Sequence, residues 1–359
     1  MANEFFTDDY TSALQKLIRE VVNDPSTYLG SKYLPSATQS VVKIRNEVVE
    51  ATGGKTNEHL PGTDPSYIRS FGSRVQEFTP GYYKETVLYD EKKILYLRQL
   101  GQNDPSKRGI RQRIDLDMDM LNRRIEARIE ALRWDAFFTG GFTFMGTTVS
   151  FGFPSVTRVN PTTRWSTNGV DANNSANPVL DLRYWLTGGY GPYRKYKVNE
   201  IVMNPNTARW ILDNTNTRSF LESIGANPNI GKWDVNTILQ FLIPGLPPVT
   251  IYSGWFQNQA ITNNQIVVSD AIYFIPDGYI FFDTMPMGDK LGEFVQTLNL
   301  ASGTLDSPGV GKFIIPEECI APGTRGGPKN PFVEITGGVY GGPNIERGFD
   351  VLTAYVGPA

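Results

Sequence analysis

The sequence predicts an α+β protein in which extended elements surround a compact middle region. Three observations carry the prediction. One apolar stripe persists at helical spacing over about five turns. Runs of alternating residues flank it on both sides. The 359 residues include 35 glycines and 24 prolines, more punctuation than a purely helical protein tolerates. With 40% hydrophobic and 20% charged residues, the chain can bury a core, and its length suits two packed domains.

Residues 7–22 read as an amphipathic helix capped by Thr7 or Asp8, with Tyr10, Leu14, Leu17, Ile18 and Val21 on one face. So short a helix, followed by turn-rich chain, looks like an arm that needs a neighbour to cover its stripe. Weak alternation follows around Val41, Val42, Ile44 and Val48. After a Gly-, Thr-, Pro- and Ser-rich stretch come two expected strands, Tyr82–Tyr89 and Lys93–Leu100, turning near Asp90 and Glu91. Lys84, Glu85, Lys92, Lys93 and Arg98 make this hairpin a solvated ribbon. An isolated ribbon is marginal in water. Its apolar residues Val87, Leu88, Ile94 and Leu95 are therefore expected on a neighbouring subunit, with Pro80 and Gly81 at its base acting as a hinge.

The strongest local signal is a helix over about 105–138. Asp104 suits the N-cap and Pro105 the first turn. Ile110, Ile114, Met118, Leu121, Ile125, Ile129 and Leu132 hold the stripe, and Gly140 and Gly141 end it. At 1.5 Å per residue it is roughly 50 Å long, beyond the usual length in a globular domain. Arg108, Arg111, Asp117, Arg124, Arg128 and Glu130 occupy its other faces. Next comes a hairpin of Phe142, Phe144, Val149, Phe151 and Phe153 around Gly146 and Thr147. Residues 154–178 read as loop. Further on, helices are expected at Asp181–Leu186, Asn206–Asp213 and Val235–Leu242, and strands at Ile201–Met203 and Val249–Tyr252. A hairpin of Ala271–Ile275 with Tyr279–Phe282 crosses Pro276-Asp277-Gly278. Two tail strands, Val333–Ile335 and Phe349–Tyr355, are separated by a glycine-rich run, Gly337 to Gly342.

The composition argues against several function classes. A net charge of −3 with no basic stripe does not suit a protein that grips nucleic acid through phosphates. Cys319 and His59 are the single cysteine and histidine, so neither an internal disulfide nor a Cys/His metal cluster can form. MANEFFTDDY lacks the features of a signal peptide. The most apolar stretch, Ile238–Tyr252, is broken by Pro244, Gly245, Pro247 and Pro248 and is too short to span a bilayer. A soluble protein made in a cytoplasm follows as the expectation.

The apparent chemical motifs have structural explanations. Asp115, Asp117, Asp119 and Glu126 match the acidic positions of a calcium loop, but its required glycine is Met120 and the helical stripe runs through it. Residues two apart on a helix diverge, so these carboxylates are expected to be surface charges paired with nearby arginines. Gly309, Gly311 and Lys312 lack the first glycine and the hydroxyl of a phosphate loop, where Asp306 and Phe313 stand. His59 lies in a loop beside Leu60, Pro61 and Gly62 with no nucleophile and acid to complete a set. Asn173-Asn174-Ser175 is a formal glycosylation sequon with no secretion signal to make it effective. No catalytic residue, cofactor or metal is expected.

What remains is an arm, a charged hairpin, an over-long helix and a glycine-rich tail. Such elements leave apolar faces wet in a monomer and make sense when identical copies interlock. Their order resembles the HK97-type capsid fold, and in particular the lambda-type major capsid protein family of tailed bacteriophages. The resemblance rests on Glu77-Phe78-Thr79-Pro80-Gly81-Tyr82 with Lys84 in the hairpin, and on the long helix running into an aromatic, Gly-terminated hairpin. Weaker echoes are Asn204–Leu212 and Pro276-Asp277-Gly278 before Tyr279–Phe282. It implies an N-terminal arm (1–52), an extended hairpin or E-loop (53–102), a peripheral domain with a spine helix (103–178), an axial domain (179–328) and C-terminal return strands (329–359). It further implies subunit contacts through Phe78, Pro80, Gly81, Tyr82, Lys84, Val87, Leu88, Ile94 and Leu95. The expected product is a shell of hexamers and pentamers around double-stranded DNA, located in the virion and assembled in the host cytoplasm. The expected partners are copies of itself, a separate scaffolding protein, a portal protein and a decoration protein, with no membrane. An encapsulin-like nanocompartment shares the fold. A soluble enzyme or carbohydrate-binding module is the rival from another class, supported by the 12% aromatic content.

Overall fold

A computed structural model describes residues 28–39, 43–49, 73–90, 106–151, 158–186, 197–223, 235–257, 259–262, 265–268, 270–285, 289–297 and 332–358. They divide between two units. The first is drawn from Met1–Ile44, Phe78–Arg133 and Glu293–Asn344, the second from Arg45–Glu77, Trp134–Gly292 and Ile345–Ala359. The expected helix over 7–22, the second ribbon strand over 93–100, the cap at Asp104 and Pro105, and His59, Gly309 and Cys319 lie outside the described residues.

The first unit begins with a single helical turn, α1 (Gly30–Tyr33), and a short strand, β1 (Ser36–Thr38). β4 (Gly81–Asp90) belongs to it as well, whereas the two-stranded pair of β2 (Ile44–Val49) and β3 (Ser73–Phe78) falls in the second unit except for Ile44 and Phe78. In the long helix α2 (Ser106–Thr139) the second half of the expected stripe, Leu121, Ile125, Ile129 and Leu132, is buried, while the side chains of Ile110, Ile114 and Met118 lie outside those described. A four-stranded sheet in the order β1-β15-β16-β4 completes the unit, with β15 at Gly292–Gln296 and β16 at Phe332–Ile345. β1 runs parallel to β15, and β4 pairs antiparallel with β16 over ten residues, from Gly81↔Gly341 to Asp90↔Phe332.

β16 corrects the expectation that Gly337, Gly338, Gly341 and Gly342 separate two tail strands. They lie inside one fourteen-residue strand. A β-carbon on Gly341 would sit 2.6 Å from the backbone oxygen of Val295, so glycine is what permits the close approach of β15.

The second unit receives the last turn of α2. Gly140 ends that helix at φ +71°, with its N–H donating to the Ala136 carbonyl at 3.1 Å. The hairpin that follows pairs β5 (Gly141–Phe144) with β6 (Thr147–Ser150). Its turn is Met145-Gly146 and not Gly146-Thr147. Both turn residues have positive φ, as a two-residue turn matched to strand twist requires.

The core of this unit is a five-stranded sheet in the order β7 (Arg158–Val159), β17 (Leu352–Tyr355), β14 (Tyr279–Asp283), β8 (Glu200–Met203) and β9 (Val249–Ile251). Both faces of β14 are covered, so its run reads as continuously apolar. Ile280 and Phe282 join the cluster built by α3 (Pro178–Leu186), α4 (Pro205–Asp213), α5 (Thr215–Ser223) and α6 (Val235–Leu242). Phe281 turns the other way, with its ring centroid 5.0 Å from Phe137 and 5.7 Å from Trp134 at the end of α2.

The expected hairpin across Pro276-Asp277-Gly278 does not form. β14 pairs with β8 and β17, while β13 (Ile272–Tyr273) pairs with β10 (Trp255–Phe256). The turn is tied instead to α4. Buried Asn204 caps that helix by accepting the Thr207 N–H at 2.8 Å, and its amide donates to the Ile275 carbonyl at 3.1 Å. The sequence reading missed α5, capped by the side chain of Asn214, and a short hairpin of β11 (Gln259–Thr262) with β12 (Gln265–Val268).

Candidate assembly surface

The residues singled out for subunit contact gather at β4. Phe78, Pro80 and Gly81 are buried at its start, Tyr82 and Val87 are half-buried, and Lys84 is exposed. Leu88 stands opposite Glu334 in the ladder with β16. Ile94 and Leu95 lie outside the described residues. This corrects the expectation of an isolated ribbon for its first strand: β4 pairs over ten residues with β16 of its own chain, which satisfies its backbone on one side. Among the described residues β4 is an edge of the sheet, with Lys84, Glu85 and Thr86 exposed along it. Charge on an edge strand discourages indiscriminate pairing while leaving a specific partner free to add on.

Strand periodicity divides the side chains of β4 between two faces. On one, Tyr82 meets Tyr340 directly across the ladder, edge to face at 5.8 Å, and the Lys84 ammonium lies 5.7 Å from the Tyr82 ring. Burial raises the phenol pKa of both tyrosines, so both stay protonated donors at neutral pH. On the other face, Glu85 accepts from Nε of Arg124 and from its Nη2 at 2.7 Å, while the Arg128 guanidinium lies 5.4 Å from the Tyr83 ring. The register is dimensional. Two strand residues advance about 6.7 Å and four helix residues about 6 Å, so Tyr83 and Glu85 match Arg128 and Arg124. The Glu85 hydrogen bond raises the Arg124 pKa further. The pair is partly exposed, which limits its worth to about 1 kcal/mol at most.

A second constellation fastens Gly30 and Ser36 to α2, and no local pattern in the sequence marks it. Fully buried Glu130 accepts the Gly30 N–H at 2.8 Å at the head of α1. Arg133, also buried, lies 3.4 Å from Glu130, donates to Ser36 Oγ at 2.9 Å and sits 5.6 Å from the Phe294 ring. Beyond it, the Phe294 N–H donates to the Pro35 carbonyl at 2.9 Å, beside the β1–β15 ladder. The partners are 100 residues apart in the chain, too far for a local pattern to register.

Glu130 was expected on an outward face, and Asp117 as a surface charge. Both are buried, because the helix is covered on more than its apolar stripe. Asp119 does pair with Arg123 at 2.8 Å, one turn away. Among the described residues no group of three or more acidic, histidine or cysteine side chains is placed to hold a metal ion, and no helix is long and apolar enough to cross a membrane.

The site thus consists of strand edges, aromatic pairs and charge pairs, chemistry suited to holding surfaces in register. The profile of the phage major capsid protein E family matches residues 11–301. Among curated proteins none matches significantly. A prophage protein of E. coli CFT073, assigned as its capsid protein, superposes with a TM-score of 0.54 at 13% identity, covering 96% of this chain and 98% of that one. The procapsid of satellite phage P4 follows at 0.48 and 11% identity, covering 95% and 90%. A phage-related protein of Bordetella bronchiseptica RB50 gives 0.46 and 10%, covering 96% of each chain. The first likeness carries the fold: it is α+β, of the HK97-like capsid type. Taken with the family profile, which spans most of the sequence, it leads to one conclusion: the chain belongs to the phage major capsid protein E family and is a structural component of a phage capsid.

Proposed function

We propose that this capsid protein assembles in the host cytoplasm into hexamers and pentamers that close an icosahedral head around double-stranded DNA. A separate scaffolding protein guides assembly, a portal protein occupies one vertex, and a decoration protein binds the outer surface. Residues 53–102 act as the extended loop that crosses to a neighbouring subunit, with Phe78, Pro80, Gly81, Tyr82, Lys84, Val87, Leu88, Ile94 and Leu95 at or near the contact. The remaining divisions are the arm (1–52), the peripheral domain (103–178), the axial domain (179–328) and the return strands (329–359). The net charge of −3 suits a wall that encloses DNA without gripping it. The family assignment favours a phage head over an encapsulin-like compartment.

One observation carries the loop assignment. β4 is a ten-residue edge strand, anchored to α2 through Glu85 and Arg124, whose charged outer edge leads directly into residues 91–100. Replacing residues 91–100 by a Gly-Ser linker preserves the β4–β16 ladder. The variant should give folded capsomer-sized species but no closed shells by size exclusion and negative stain. Shells of normal size would remove the loop from its assigned role. A stable 40.0 kDa monomer of the unaltered chain under all conditions, scaffolding protein included, would overturn the shell itself.

A further inference from the structure

The hairpin that follows α2 ends in a residue that its backbone does not favour. The two turn residues, Met145 and Gly146, have φ of +46° and +79°. A turn with both residues in the left-handed region selects Asn-Gly or Gly-Gly, because most side chains crowd the backbone there. Among the described residues Met145 is the only one other than glycine with positive φ. Its side chain is also 89% exposed, more than any other large apolar residue described. A β-carbon on Gly146 would meet no atom within 4 Å, so the tip stands clear of its own chain. A strained position filled by a wet apolar side chain is disfavoured twice over in the isolated subunit, and such outliers persist where the side chain has a use.

The base of the hairpin is fixed. The Phe151 N–H donates to the Gly140 carbonyl at 2.8 Å, and Phe142 and Phe151 are buried with their ring centroids 6.2 Å apart. Thr143 and Thr148 share a hydroxyl hydrogen bond of 3.1 Å across the strands. The finger is therefore oriented before it meets a partner, which lowers the ordering cost of a contact. Among the described residues β5 and β6 form a sheet of their own. Exposed edges are ordinarily guarded by charge, as Lys84 and Glu85 guard β4. Residues 136–157 contain no charged side chain, and the exposed positions beside the tip are Thr143, Thr147 and Thr148.

Charge points to the partner. Copies of a subunit with a net charge of −3 repel one another, so contact between them is least opposed through a neutral projection. We propose that Met145 is an intersubunit knob: the tip of β5–β6 inserts its thioether side chain into an apolar recess on a second copy of this chain. This contact rests on the shell reading above and lies outside its extended loop. Methionine suits the task, because an unbranched side chain with three rotatable bonds adapts to recesses that differ slightly, as those of neighbours in hexamers and pentamers do.

Substitution at the tip separates folding from assembly. Met145→Asn installs the residue that the turn prefers and removes the apolar group. Unassembled subunits of this variant should melt at or above the parent temperature. The threshold concentration for particle formation, with scaffolding protein present, should rise about tenfold or more, the weight of one buried methionine side chain per contact. Met145→Leu keeps an apolar knob of similar volume and should assemble at a threshold clearly below that of the Asn variant. A diazirine amino acid at position 145, in particles built from nitrogen-15-labelled and unlabelled full-length subunits, should give crosslinked peptide pairs of mixed label. A lowered melting temperature for the Asn variant would remove the strain at the turn and the inference with it. An Asn variant that assembles at the parent threshold, a Leu variant no better than the Asn one, pairs of a single label only, crosslinks confined to the scaffolding protein, or no crosslink at all would overturn the knob and leave the shell standing. A parent chain that forms no particles under any condition would remove shell and knob together.

Discussion

Removing the Glu130 carboxylate should cost the subunit about 3 kcal/mol. In Glu130→Ala the buried Gly30 N–H loses its acceptor, and Arg133, only 5% exposed, loses the opposite charge beside it. Breaking one side of a buried ion pair costs about 3–5 kcal/mol. The lower end applies here because the separation is 3.4 Å and Arg133 keeps Ser36 Oγ and the Phe294 ring. For a domain of this size about 1 kcal/mol moves the thermal midpoint by about 2–4 °C, so a drop of about 6–12 °C is expected. Urea unfolding of unassembled subunits is the assay, with the midpoint lowered and the slope unchanged. The companion variant is Glu130→Ala/Arg133→Met, which removes the stranded charge. It should be clearly less destabilised than the sum of the single substitutions. A loss below about 1 kcal/mol in the single variant, or strict additivity in the double, would refute the view that this network holds residues 28–38 on α2.

Two further outcomes are expected. Gly341→Ala places a methyl group 2.6 Å from the Val295 carbonyl oxygen and should cost about 1–3 kcal/mol as the β15–β16 ladder parts, read as a lowered urea midpoint; an unchanged midpoint would contradict the close approach. Asp181 has its pKa raised above the usual 3.8 by burial, against the opposing hydrogen bond from the Trp165 indole N–H, so its contribution is fully present below 3.8 and lost as pH rises through the raised folded value. Asp181→Asn keeps an acceptor for Trp165 and should melt at or above the parent temperature at pH 7, with the advantage vanishing as pH falls toward 3.8; a lower midpoint at pH 7 would count against that sign.

Local pattern reached far into this fold because its largest elements are set by local rules. The α2 stripe, its glycine stop and the strand over 81–90 depend on spacing and on residues that fix or free the backbone. Helix α6 over Val235–Leu242 falls where the apolar spacing put it. The strand over 81–90 was legible from its alternation, but its place at the edge of a sheet was not, because the partner strand β16 lies about 250 residues away. Where the reading failed, the deciding partner was distant in the chain. The Gly337–Gly342 run looks like a loop until β15 comes near enough to require it inside a strand. Tyr279–Phe282 looks like half of a hairpin until β8 and β17 claim both its edges.

By itself, then, the sequence determined the α+β class and the long helix, because hydrophobic period and glycine placement are properties of short stretches, while the capsid role was legible only as a resemblance in the order of its elements. The tertiary structure decided which strands pair and which charges are buried. Asp117 and Glu130 occupy ordinary polar positions on a helix, and only the chain that folds over them takes them out of water. The same is true of β4, whose pairing with β16 joins residues about 250 positions apart in the chain. No window of sequence contains both sides of such a contact, and closing so long a loop is offset only when the whole sheet forms together.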